Sequence, residues 1–224
     1  MKVAIVTYAS ECFRFPLANT YKYFQYAERL KQSLINLNFE GDFYLFTEEN
    51  LKSPKHKDKH YAFKPIAINE LKDKYDIVIW ADSILIAKQS LTELIKHIEE
   101  NGYVFFDNIG YTIGDYTSDV CLNNYEMNRD ESFNYPMIMA CLMGFDFRNK
   151  IACEIFDEYY KALHRFGNYE GDWSNHRHDQ SVMSIILAKK EIKPIHPHST
   201  FFAYDDNPGH QPQAESVCFI SKEM

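Results

Sequence analysis

The carboxylate most clearly placed for chemistry is Asp82, which interrupts a nearly unbroken apolar run at residues 75–87. An ionised group in such surroundings costs free energy unless a charge, hydrogen bonds or a metal compensate it. In open α/β sheets, ligands bind outside the carboxyl ends of the strands. If the run is a buried central strand, Asp82 lies at the sheet edge, where it can meet a metal ion, a nucleotide or a sugar. The alternative is that Asp82 only caps the next turn.

A second carboxylate, Asp179, stands in the sequence His178-Asp179-Gln180, just before a helix predicted at residues 182–189. The positive end of a helix dipole stabilises negative charge at this point. Asp is also a common N-cap residue. The position alone therefore allows a capping role or a chemical one.

The histidines offer a different chemistry, because His176-x-His178 and His196-x-His198 together could form a zinc site. A metallohydrolase would need such a cluster. The β-lactamase-like pattern H-x-H-x-D-H is not met, since Asp179 follows His178 directly, and short pairs arise by chance in a chain with 9 histidines. A zinc metallohydrolase remains a minor alternative.

The composition argues against several other classes of protein. A formal net charge of -8 and the lack of a long basic block make nucleic acid an unexpected partner. The 5 cysteines contain no Cys-x-x-Cys pair, which favours buried thiols over a disulfide framework or a zinc ribbon. Neither G-x-G-x-x-G nor the Walker A pattern occurs. No apolar run reaches the roughly 18 residues of a membrane span, and the N-terminus is unlike a signal peptide, so we expect a soluble cytoplasmic protein.

The elements that must position Asp82 and Asp179 follow from hydrophobic periodicity. Strands are predicted at residues 2–7, 43–47, up to Asp82 and at 103–106, and helices at 17–38, 66–71 and 91–100. This β-α-β-α-β-α-β order predicts an α/β sandwich with a mostly parallel sheet covered on both faces. The length suits one domain spanning residues 1–224.

The second half of the chain is less regular. Residues 107–135 have no clean periodicity and are too long for a simple connection, so we expect an insertion that shapes the substrate site. An apolar segment with a glycine break follows at 136–147, and Asn149 is a plausible N-cap for the next helix. A last strand is predicted at residues 192–195.

Three of these segments resemble the GT-A glycosyltransferases. Residues 63–65 and 75–84 look like the family segment in which a hydrophobic strand ends in the D-x-D motif, here in a Trp-x-Asp-Ser-Ile variant. Residues 136–147 resemble the acceptor-side segment, and 176–184 resemble an H-D-Q-S helix start. The resemblance covers residues 2 to about 198 and implies a GT-A-like three-layer sandwich.

The resemblance implies a donor site, a group of residues that together hold the nucleotide sugar. Its residues are Thr7, Tyr8, Ala9, Lys64, Asp82 and Ser83. The segment 7–9 would lie under the nucleoside, and Lys64 would reach the nucleotide sugar or its phosphates. Asp82 would approach the ribose or a divalent cation.

The resemblance also implies catalytic and metal-binding residues. Asp179 would lie near the acceptor, with Gln180 orienting it or the donor sugar. Asp82 and a late histidine, His198 or His196, would bind Mn²⁺ or Mg²⁺. Where the family usually has a second Asp, this chain has Ser83 or Ile84. One strong oxygen ligand is therefore missing, which leaves metal dependence open.

The function implied is transfer of a sugar from a nucleotide-diphosphate sugar, with a UDP-sugar expected, to a hydroxyl acceptor in glycan or polysaccharide synthesis. If Asp179 acts as base, the reaction inverts the anomeric configuration; if it only positions the sugar, a retaining route is open. The competing interpretation is a catalytically degenerate module that binds a sugar or a nucleotide sugar.

Overall fold

The computed structural model describes residues 1–10, 22–56, 58–197, 201–204 and 218–221. The strands are β1 (Val3–Tyr8), β2 (Asp42–Phe46), β3 (Ile77–Ala81), β4 (Leu85–Ala87), β5 (Tyr103–Thr112), β6 (Pro136–Asp146), β7 (Phe202–Tyr204) and β8 (Phe219–Ser221). The α-helices are α1 (Lys22–Asn36), α2 (Phe63–Asn69), α3 (Thr92–Asn101), α4 (Asp119–Asn124), α5 (Arg129–Ser132), α6 (Lys150–Lys161) and α7 (Asp179–Lys189).

The central sheet has the strand order β2-β1-β3-β6-β5. Strand β1 pairs in parallel with β2 and β3, whereas β6 is antiparallel to both β3 and β5. Four of the five strands therefore run in one direction, which confirms the predicted mostly parallel sheet. The reversed β6 brings the segment around Cys141 beside the carboxyl end of β3, where Asp82 N–H donates to Cys141 O at 2.8 Å.

Both faces of this sheet are covered. Successive side chains of a strand point to opposite faces, so each face packs against its own layer. On one face, Val78 and Trp80 of β3 share a buried cluster with side chains of α2, α6 and α7. On the other, Ile77 and Ile79 pack with side chains of α1 and α3 and with Phe219 of the smaller sheet, β4-β8-β7. The three-layer sandwich is confirmed, and burial on both sides explains the continuous apolar run.

The glycine in the segment at 136–147 does not break it, contrary to prediction. Residues 136–146 form the single strand β6. A Cβ at Gly144 would lie 2.5 Å from Ile98 Cδ1 and 2.9 Å from Val104 Cγ1. Gly144 is therefore needed for the close approach of α3 to the sheet.

Other boundaries differ from the predictions for physical reasons. Strand β5 continues to Thr112, and register shifts against β6 hide its alternation in the sequence. The predicted strand at 192–195 is reduced to one bridge between Phe106 and Ile195, since Pro194 lacks the N–H that a ladder requires. Helix α1 is confirmed from Lys22 onward; residues 17–21 lie outside the described residues. Asn149 caps α6 as predicted, accepting from the Ile151 and Ala152 N–H groups.

Within the described ranges, the helices are too short or too polar to cross a membrane.

Candidate functional site

Asp82 follows β3 directly and lies on the same side of the sheet as Trp80. Trp80 Nε1 donates to Asp82 Oδ1 at 2.7 Å, and the Asp82 side chain is 30% exposed. The turn after β3 is closed by the backbone, with Leu85 N–H donating to Asp82 O at 3.0 Å. The described contacts of the carboxylate are thus with side chains rather than with the turn, unlike those of a cap.

Lys64 of α2 joins the two predicted carboxylates. Its Nζ lies 3.1 Å from Asp82 Oδ1 and 3.1 Å from Asp179 Oδ2, and it donates to Ala140 O at 2.8 Å. Burial alone would lower the pKa of Lys64, but the Asp179 and Asp82 carboxylates outweigh it and raise the pKa above its usual value. The lysine is therefore a permanent buried cation surrounded by three oxygens.

Asp179 is the first residue of α7, and its side chain is 4% exposed. The cap position belongs to His178, so Asp179 is not the N-cap. Burial raises the pKa of Asp179 to about 6; Lys64 lowers it and Asp82 raises it further. Asp179 Oδ2 faces the Lys64 ammonium at 3.1 Å and has no other polar partner among the described residues. A pKa of about 6 suits a group that accepts a proton near neutral pH.

Gln180 follows Asp179 in the first turn of α7. Its Nε2 donates to Ile138 O of β6 at 2.6 Å, which fixes the side chain against the sheet. One turn later, Ser184 Oγ accepts from Ile138 N–H at 2.9 Å. Helix α7 is therefore hydrogen-bonded to β6 at both the backbone N–H and the C=O of Ile138. These bonds fix the distance of Asp179 from the sheet.

Four of the predicted residues line one cleft of about 120 Å³, namely Lys64, Asp82, Asp179 and Gln180. They come from α2, the end of β3 and α7, and β6 supplies one wall through residues 139–141. Pockets for whole drug-sized ligands are roughly 300 Å³ or larger. The described cleft therefore suits the reacting end of a larger ligand.

The predicted nucleoside segment lies at the same sheet edge but outside the lining of this cleft. Thr7, Tyr8 and Ala9 are all buried, and the pairing of Val6 with Trp80 brings them level with Asp82. The Tyr8 ring stacks on Phe63 with centroids 4.1 Å apart. Burial first, and then the Glu48 charge, raise the pKa of Tyr8 to about 12.

The donors around Asp82 do not fit the cation that the resemblance implies. Hard cations prefer several oxygen ligands. Asp82 Oδ1 already faces the Lys64 ammonium and the Trp80 N–H, and Ser83 is buried and does not line the cleft. In the part of the chain that is described, no three His, Cys, Asp or Glu side chains are arranged to hold a metal. His198 lies outside the described residues.

The predicted zinc histidines have other roles where they are described. His176 is buried, its Nε2 lies 2.9 Å from Asn168 O, and its Nδ1 accepts from Ser118 N–H at 3.3 Å. His178 has a φ of 50° and packs on the His60 ring with centroids 4.6 Å apart. Burial, followed by the neighbouring His176, lowers the pKa of His178 to about 3. His196 is exposed, so this part of the chain gives the zinc interpretation no support.

Sequence reasoning missed Arg177, which also lines the cleft. Its guanidinium carbon lies 3.5 Å from the centroid of the Trp173 ring and 4.3 Å from that of the Tyr116 ring. Only the closeness of Trp173 in the sequence hinted at this stack, because Tyr116 comes from the irregular insertion.

Two solved structures have the same fold. One is a glycosyltransferase involved in the glycosylation of the major capsid of PBCV-1, with a TM-score of 0.59 and 16% identity; the match covers 99% of this chain and 93% of that chain. The other is the apo structure of the bifunctional glycosyltransferase WbbM, with a TM-score of 0.58 and 14% identity, covering 100% of this chain but 46% of WbbM. No protein-family model and no curated protein sequence matches. At these identities the similarity establishes the fold, a GT-A-like sandwich.

Proposed function

We propose that the chain is a glycosyltransferase that moves a sugar from a nucleoside-diphosphate sugar, with UDP as the expected nucleotide, to a hydroxyl acceptor. The observation that carries this proposal is the Asp179 carboxylate. It is buried, it lines the cleft, it has a raised pKa, and beyond the Lys64 ammonium its Oδ2 has no polar partner among the described residues. The fold shared with two glycosyltransferases supports the same conclusion.

The chemistry is a displacement at the anomeric carbon. The bond from this carbon to the diphosphate oxygen breaks, its electron pair leaves with the diphosphate, and the acceptor oxygen forms the new bond. The acceptor proton passes to Asp179, whose pKa of about 6 leaves it ionised at neutral pH. Lys64 keeps both carboxylates oriented, and Gln180 holds α7 against β6.

The test is turnover of nucleoside-diphosphate sugars, with UDP- and GDP-sugars assayed in Mn²⁺ and in chelator. We expect release of the nucleoside diphosphate, reduced about 100-fold or more in Asp179→Asn, as for loss of a general base. Asp157→Asn, an exposed carboxylate on α6, is the matched control and should keep full activity. Equal turnover in Asp179→Asn and the wild type would contradict the role of Asp179.

The stereochemistry of the product separates two roles of Asp179. A single displacement with Asp179 as base inverts the anomeric configuration. A product with retained configuration would assign Asp179 to positioning instead.

The second candidate is a module that binds nucleotide sugars without transferring them. It is favoured by Ser83 and Ile84, which stand where a second carboxylate is expected. Saturable binding of a nucleotide sugar with no turnover under any metal condition would favour this module over the enzyme.

A further inference from the structure

Arg177 is a cation that lines the cleft and has no carboxylate partner within the described part of the chain. The two carboxylates that line the cleft, Asp82 and Asp179, are both paired with Lys64. Among the described residues, no carboxylate lies within ion-pair distance of the Arg177 guanidinium, whose contacts are the faces of Trp173 and Tyr116.

Two aromatic rings lie close to the Arg177 guanidinium. A guanidinium carries five N–H donors around its edge and stays protonated in proteins. Contact with the Trp173 and Tyr116 rings restricts the side chain, and its N–H donors suit a planar or phosphate anion. The backbone is also fixed, since Arg177 N–H is shared between Tyr116 O at 3.0 Å and Ser181 Oγ at 3.1 Å. The Arg177 side chain therefore loses little conformational entropy when an anion binds.

The charges of the cleft favour such a role for Arg177. Lys64 lies between two carboxylates, so this trio carries a net negative charge when Asp179 is ionised. A diphosphate entering the cleft would be repelled by the trio. Arg177 supplies the compensating charge, and the donors around Asp82 do not fit a divalent cation.

We propose that Arg177 binds the diphosphate of the donor through charge-assisted hydrogen bonds, so that this chain binds its donor without a divalent cation. The inference rests on the proposed function and names the group that meets the leaving diphosphate. As the bond from the anomeric carbon breaks, negative charge grows on the terminal phosphate oxygen. Arg177 stabilises this charge, while the acceptor proton goes to Asp179.

Binding of nucleoside diphosphates in EDTA tests the inference by calorimetry. The ligands are UDP, GDP, ADP, CDP and dTDP, each beside its nucleoside. We expect at least one diphosphate to bind in EDTA and its affinity to fall about 10- to 100-fold in Arg177→Gln, as for the loss of hydrogen bonds to a charged group. Affinity for the nucleoside should not change. Arg177→Lys keeps the charge but not the planar fork, and should bind with intermediate affinity.

Arg165→Gln is the matched control, because Arg165 also lies over an aromatic ring, Tyr125, but outside the cleft. It should bind like the wild type. Loss of nucleoside affinity in Arg177→Gln together with loss of diphosphate affinity would assign Arg177 a structural role and overturn the inference. Binding that requires Mn²⁺ and is unchanged in Arg177→Gln would overturn it while leaving the glycosyltransferase proposal intact. If no diphosphate binds under either condition, both proposals fail.

Arg177 could instead recognise an anionic group on the acceptor, such as a carboxylate or a phosphate. The calorimetric titration with nucleoside diphosphates separates the donor role from the acceptor role. An acceptor role predicts unchanged diphosphate affinity in Arg177→Gln. That result would overturn the donor assignment.

Discussion

The ammonium of Lys64 and the carboxylates of Asp82 and Asp179 set the properties of the cleft. Burial of Asp179 disfavours its charge, and Lys64 offsets this effect only in part, so the pKa settles at about 6. The trio therefore has a fixed cation and a carboxylate that changes its charge close to neutral pH. Asp179 and Lys64 can therefore be tested by different measurements, the pH dependence of activity and the free energy of unfolding.

The first of these measurements is the dependence of transfer on pH. Asp179 accepts a proton only when ionised, so activity should be present above its folded-state pKa of about 6 and decline as the pH falls below it. The acidic limb of kcat/KM between pH 5 and 7 measures this. Asp179→Asn should lose the limb together with the activity. Wild-type activity that stays constant from pH 7 to 5 would refute the assignment.

The second of these measurements gives the cost of removing Lys64. Lys64→Met leaves the buried Asp179 carboxylate without its cation, and breaking a buried ion pair in this way costs about 3–5 kcal/mol. Urea unfolding at pH 8, where Asp179 of the wild type is ionised, measures the free energy of unfolding. The double variant Lys64→Met, Asp179→Asn removes a buried charge as well and should recover part of the loss.

Lys72→Met is the control for this measurement. Its ammonium lies 3.8 Å from Asp157 in a half-exposed pair, so the loss should be at most about 1 kcal/mol. Equal losses for Lys64→Met and Lys72→Met would show that the buried trio has no special energetic role.

At the scale of elements, β6 determines where the cleft lies. It runs antiparallel between β3 and β5, supplies Ala140 O to Lys64, and accepts Gln180 of α7 at Ile138 O. The helix α3 packs against the same strand at Gly144. The strand that forms one wall of the cleft is thus also packed against a helix on the other face of the sheet.

This packing predicts the effect of Gly144→Ala. The added Cβ would lie 2.5 Å from Ile98 Cδ1, and overpacking of this kind typically costs about 1–3 kcal/mol. Ile98→Val removes the clashing methyl group. In chemical denaturation, the double variant should therefore lose less than the sum of the single variants. Strict additivity would contradict the proposed contact.

At the scale of the whole molecule, the sequence predicted what depends on local pattern. The alternation of strands and helices gave the sandwich, and the continuous apolar run gave a strand buried on both faces. The motif resemblance brought Asp82 and Asp179 to one site, and the structure places both at the same cleft.

What could not be predicted depends on contacts between distant segments. The antiparallel insertion of β6 is a property of its pairing with β3, which residues 136–146 alone do not encode. The strands of the smaller sheet have three residues each, too few for a periodic signal. The stack of Arg177 needs Tyr116, which lies in an irregular stretch.

The hydrogen bond from Lys64 to Ala140 O joins residues 76 positions apart in the chain. Closing so long a loop costs conformational entropy, which native contacts across the sheet must offset. No short segment of the chain contains the cleft, because its lining comes from α2, the end of β3, β6 and α7. Ligand binding at this cleft should therefore be lost together with the native topology of the sheet, which makes it a sensitive measure of the folded fraction.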